Sequence, residues 1–200
     1  MNSFLDLTIA FIILGSLLTI TMSVDSNVHE HVIKATQDLN VQESAHTMTD
    51  IIEYDFRKIG HGLINPFTAI TVADSSHIIF SYDRNPSSVY DSVRVEYLMT
   101  AATRTPNPND KILVRRLNGS DNGGGALGVS RFRLRYYNQY GTLLPTPVVS
   151  DSLSKIREIA LLLVTRRTSG FRGKFGGLRY ATRFTCKNLL VKYGNTGASN

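Results

Sequence analysis

The chain has 200 residues, of which 42% are hydrophobic and 19% are charged, which suffices for one sizeable core and excludes a disordered or low-complexity chain. Its single cysteine, Cys186, excludes an intrachain disulfide and any zinc or redox motif built on paired cysteines. The net charge of +6 is concentrated late in the chain, because the stretch from Lys155 to Lys192 carries ten Lys or Arg and one acid, Glu158.

The N-terminal segment is apolar, with 18 consecutive uncharged residues from Leu7 to Val24. A helix rises about 1.5 Å per residue and a bilayer core is roughly 30 Å thick, so this run is just long enough to cross it. We therefore predict a transmembrane helix over residues 1–24. A signal peptide is the alternative, although no basic residue precedes the run. The side chains expected to anchor and pack are Leu7, Ile9, Phe11, Ile12, Ile13, Leu14, Leu17, Leu18 and Ile20.

Helical periodicity continues beyond this segment. Apolar residues recur at mostly three- to four-residue steps, and they are Val28, Val32, Ala35, Leu39, Ala45, Met48, Ile52, Phe56 and Ile59. The spacing predicts an amphipathic helix over residues 25–60 that continues the apolar one, giving a single helix of about 50 residues. Gly60, Gly62 and Pro66 supply its expected end.

Residues 61–200 change to short β-rich runs separated by turn residues. The runs are FTAITVAD, HIIFSYD, SVRVEYLMT, KILVRRLN, VSRFRLRYYN, IREIALLLVTRR and LRYATRFTCKNLLVKY. Strict alternation, as in RFRLRY, gives each strand one dry face and one wet face. We therefore predict an α+β fold in which the long helix packs on a C-terminal antiparallel sheet, with the amphipathic half covering its dry face.

The order of these segments resembles the type IV pilin superfamily. LDLTIAFIILGSLLTI is similar to the N-terminal helix of that family. IIEYDFRKIGHGL, RFRLRYYNQYG, SDSLSKIREIALLLVTRR and RYATRFTCKNLLVKY resemble segments of minor pilins and J-type minor pseudopilins. In the last of these the resemblance rests on Tyr180, Thr182, Phe184, Asn188 and Leu189. A glutamate is usual where Asp6 stands, and the helix-kinking proline of major pilins is missing.

This resemblance implies a non-enzymatic, structural minor subunit of a type IV pilus or a type II secretion pseudopilus. Its partners would be other pilin or pseudopilin subunits, and inner-membrane lipid before assembly. The helix would cross the membrane once, and the sheet domain over residues 61–200, the head, would lie outside the cytoplasm. A carboxylate at the edge of an apolar run is costly in lipid, so a partner for Asp6 is expected. The resemblance implies that this partner is the α-amine of a neighbouring subunit, so residues 1–24 would also be the assembly helix and Asp6 would set the register between subunits. The alternative is that Asp6 lies in the first helical turn, where it offsets the helix dipole.

The sequence contains weaker signals for other functions. The five histidines do not share a helix face at metal-ligand spacing, and no cofactor or small-molecule substrate is expected. Acidic turns such as NPNDK are an alternative calcium site. The stretch RRTSGFRGKFGGLRYATRFTCK interleaves basic and aromatic residues, so DNA contact through Arg172, Lys174 and Arg179 is one alternative function. A single-pass envelope protein that never polymerises is another.

Overall fold

A computed structural model describes residues 2–85, 91–101, 111–121, 129–166 and 177–190. The chain divides into two compact units, Met1–Asn40 and Val41–Asn200. The predicted α+β class is confirmed, because a long N-terminal helix is followed by an antiparallel sheet that covers its C-terminal part.

Helix α1 runs from Asn2 to Arg57, so the predicted single helix is confirmed and is slightly longer than expected. The structure requires a glycine at position 60, just after the end of the helix. Gly60 has a φ of +76°, and a Cβ there would lie 2.8 Å from Cδ2 of Leu189. Both the backbone conformation and the space therefore require glycine at this position.

The predicted apolar stripe is buried only in its second half, from Ala45 to Ile59. Val28, Val32 and Leu39 are 55%, 56% and 64% exposed, so the predicted cover of the sheet comes from the part of the amphipathic half that starts at Ala45. The physical reason is a break of phase. Leu39 and Ala45 are six residues apart, and six residues at 100° each leave two side chains about 120° apart around a helix.

The described part of the sheet has nine antiparallel strands, and its long strands follow the order β1-β2-β3-β4-β6-β8-β9. Beyond α1, the structure contains β1 (Ile70–Ala73), β2 (His77–Asp83), β3 (Ser92–Ala101), β4 (Lys111–Leu117), β5 (Ser120–Asp121), β6 (Val129–Tyr137), β7 (Leu143–Leu144), α2 (Ser150–Leu153), β8 (Glu158–Arg166) and β9 (Gly177–Thr185). Seven strands coincide with the seven predicted runs. Strands β5 and β7 and helix α2 were not predicted, because two to four residues are too few to show a period.

The core lies between the C-terminal part of α1 and the inner face of the sheet. The ring of Phe56 packs edge-to-face on three rings from different strands, with centroid distances of 5.8 Å to Phe80, 6.0 Å to Tyr97 and 5.5 Å to Phe184. On β6 the alternation is as predicted: Phe132 and its inward neighbours are buried, whereas the arginines between them are exposed. The opposite face of the sheet is therefore free to carry charge.

Candidate functional site

The apolar segment of α1 has the surface of a lipid-facing or helix-packing element. Every residue from Ser3 to His29 is exposed, including all nine predicted anchoring side chains. The hydroxyls of Thr8, Ser16, Thr19 and Thr21 donate to the carbonyl four residues earlier, at 2.6 to 2.9 Å. These polar groups are thus satisfied within the helix, as hydrocarbon requires. The helix is long and apolar enough to cross a membrane.

Asp6 lies exposed on α1, directly before the apolar run. Because α1 begins at Asn2, its first turn contains no acidic residue, and Asp6 falls in the second turn. Both hypotheses for Asp6, the register between subunits and the offset of the helix dipole, stay predictions, since each needs only an exposed carboxylate near this end of the helix.

A buried ionic cluster joins the C-terminal part of α1 to the sheet, and no pattern in the sequence predicted it. Asp55 is fully buried and accepts hydrogen bonds from Tyr97 Oη at 2.5 Å and from Arg115 Nε and Nη2 at 2.6 and 3.1 Å. Such a bidentate, charge-assisted arrangement fixes both distance and orientation. It attaches the helix to β3 and β4 at one position.

Two side chains of this cluster, Tyr97 and Arg115, keep a single protonation state. Burial, followed by the negative charge of Asp55, raises the pKa of Tyr97 well above its usual range. The hydrogen bonds that Arg115 donates to Asp55 raise the pKa of its guanidinium. The phenol therefore stays neutral and the guanidinium stays charged at any physiological pH, which keeps the contacts of both with Asp55 intact.

Five arginines share the outer face of β6, β8 and β9, the side turned away from α1. Pairing places Arg131 and Arg179 on either side of Val164, and Arg135 and Arg183 on either side of Ala160. Between these rows Arg133 faces Leu162 of the central strand. We call this surface, consisting of Arg131, Arg133, Arg135, Arg179 and Arg183 around Ala160, Leu162 and Val164, the arginine face.

The arginine face carries a strong uncompensated positive charge. Within the described residues, Arg131, Arg133, Arg135 and Arg179 form no ion pair or side-chain hydrogen bond. Arg183 pairs with Glu158 and lies over the ring of Tyr137, 4.0 Å from its centroid. The floor is a shallow groove of about 490 Å³, and no carboxylate lines it. The face can therefore attract an anion.

Only one of the three predicted nucleic-acid contacts can be placed. Arg179 is exposed on β9 and belongs to the arginine face, whereas Arg172 and Lys174 lie outside the described residues. The prediction missed the three arginines of β6. Their alternation in RFRLRY was visible in the sequence, but only the sheet order puts β6 and β9 on either side of β8.

The acidic turns give little support to the calcium alternative. Asp83 is buried, and its carboxylate accepts the backbone N–H groups of Asn85 and Asp91 at 3.0 and 3.3 Å, so it closes a turn. Asn107 to Asp110 lie outside the described residues. Among the residues that are described, no group of three His, Cys, Asp or Glu side chains is placed to hold a metal ion.

Comparison of the chain with protein-family models, with curated proteins and with solved structures finds no match.

Proposed function

We propose that this chain is a non-enzymatic, membrane-anchored subunit of a type IV pilus or type II secretion pseudopilus, which packs by its N-terminal helix into a filament or tip complex. One observation carries the proposal: residues 7–24 form an uncharged helix that is exposed on every side and has an acid at its start. A helix that is apolar all round needs an apolar environment, which is lipid or other helices.

The mechanism follows from an exchange of environments. In the membrane the apolar helix is solvated by lipid, and on assembly the same side chains pack against neighbouring helices. Asp6 would be satisfied only where a neighbour places a positive group beside it, and this restricts the axial stagger between subunits. The sheet remains outside the apolar layer and presents its surface to partners.

The proposal is tested by disulfide crosslinking of single cysteines placed along residues 7–20 in the native membrane. Cys186 can stay in place, because it is buried and burial raises the pKa of its thiol to about 12. We expect chain-to-chain crosslinks that recur at helical spacing. Asp6→Ala should weaken them about 100-fold, since removing one partner of a desolvated pair leaves the other charge uncompensated, and Asp6→Glu should restore them.

The matched control is Asp25→Ala, which removes an exposed acid of the same helix beyond the apolar run and should leave the crosslinks unchanged. Absence of crosslinks at every position would instead favour a single-pass envelope protein that does not polymerise. Crosslinks that persist in Asp6→Ala would support assembly but contradict the register role of Asp6. The intact mass of the membrane-extracted chain would reveal a cleaved signal peptide.

A further inference from the structure

We propose that the arginine face binds the phosphate backbone of nucleic acid without reading its sequence, a function that goes beyond anchoring and assembly. The face was defined above by five arginines on β6 and β9 that surround the outward side chains of β8. It differs from the sequence-based hypothesis, because three of its five cations come from β6.

The spacing of the cations suits a polymer with regularly repeated charges. Alternate side chains on an extended strand repeat about every 6.7 Å, so Arg131, Arg133 and Arg135 form a row roughly 13 Å long. A nucleic-acid strand carries one phosphate charge per nucleotide, so a row of evenly spaced guanidiniums can contact several charges of the same backbone. A second row, Arg179 and Arg183, lies two strands away, at about 10 Å.

The chemistry of the face favours nucleic acid over an acidic protein. Each unpaired guanidinium offers a planar fork of donors that matches a phosphate bidentately. The regular rows suit a repeating backbone, whereas an acidic protein surface has no fixed charge period. The floor of Ala160, Leu162 and Val164 offers no base-reading polar group, and the ring of Tyr137 is covered by Arg183. The groups available for contact are therefore the guanidiniums, and their contacts with phosphates would position a nucleic acid without reading its sequence.

The test measures binding of a labelled DNA duplex of arbitrary sequence to the full chain in neutral detergent, by fluorescence anisotropy at several salt concentrations. With four to five phosphate contacts, affinity should fall roughly 100- to 500-fold between about 50 and 200 mM salt. Arg133→Gln/Arg135→Gln should weaken binding to all sequences about equally and reduce the salt slope by about two. Replacement of both arginines by lysine should retain most of the slope.

The control is Arg94→Gln/Lys155→Gln, which removes the same charge from exposed positions outside the face and should change binding less than about threefold. Equal losses in the two double variants would overturn the proposal, because binding would then depend on net charge alone. Binding of polyglutamate at matched charge without binding of the duplex would overturn it in favour of an acidic protein partner. Because the full chain is kept in detergent, neither result depends on whether the helix assembles.

Discussion

At the scale of single residues, Asp55 illustrates how a buried charge can be required without being a source of net stability. Its neighbours on the same face of α1, Ile52 and Phe56, are apolar and buried. The free-energy cost of removing the carboxylate from water is offset by the hydrogen bonds that Tyr97 and the two donors of Arg115 make to it. The cluster therefore depends on all three side chains together. Its geometry fixes how the helix meets β3 and β4.

We therefore predict that Asp55→Ala destabilises the folded chain by about 3–5 kcal/mol, because it leaves the Arg115 guanidinium without its carboxylate. Asp55→Ala/Arg115→Met should cost less than the sum of the single changes, with a coupling of about 1–3 kcal/mol. Thermal unfolding followed by circular dichroism measures both. The control is Asp50→Ala on the same helix, where an exposed carboxylate lies 3.0 Å from His46 and the expected change is below about 1 kcal/mol. Additive single effects would show that Asp55 and Arg115 do not act as a unit.

At the scale of elements, the end of α1 is completed by a residue far along the chain. The last carbonyls of a helix have no partner within it. Here Nδ2 of Asn188, in a short 3₁₀ turn after β9, donates to the carbonyls of Arg57 and Ile59 at 3.1 and 3.0 Å. The C-terminal segment thus stabilises the junction between helix and sheet.

Removing this amide should loosen the junction. We predict that Asn188→Ala lowers the free energy of unfolding by about 1–3 kcal/mol, because the exposed carbonyl of Arg57 and the partly buried carbonyl of Ile59 both lose their donor. Asn188→Asp should be no better, since a carboxylate cannot donate and its charge opposes the helix C-terminus. Chemical denaturation gives the values, and Lys187→Ala, at the exposed neighbouring position, is the control. An unchanged midpoint in Asn188→Ala would mean that water replaces the amide without loss.

The elements also show which features could be read from the sequence. Strand limits and the helix end were predictable because alternation and glycine act locally, as in RFRLRY and at Gly60. The stripe is not buried in the residues that precede Ala45, because Leu39 and Ala45 are six residues apart. A search for three- and four-residue intervals does not detect such a step. Asp55–Arg115 and the arginine face needed strand pairing, because their partners are brought together by sheet order rather than by proximity in sequence.

At the scale of the whole molecule, the buried core and the proposed membrane anchor belong to different units. Unit Val41–Asn200 contains every buried side chain of the described residues, the first of which on α1 is Ala45. Unit Met1–Asn40 contributes an exposed helix with no buried residue among those described. Under the proposed function, the first unit would exchange lipid for protein while the core of the second unit stays as it is.

This division predicts that a fragment spanning residues 41–200 folds alone. It should be monomeric without detergent and unfold within about 2 °C of the full chain, because removal of exposed residues changes stability by less than about 0.5 kcal/mol. A fragment that starts at Ile52 is the matched comparison, because it also removes the buried Ala45 and Met48 and should lose at least 2 kcal/mol. Circular dichroism melts and light scattering measure both fragments. If the longer fragment aggregates or melts like the shorter one, the first 40 residues support the head, and anchoring and folding are not separate functions of the chain.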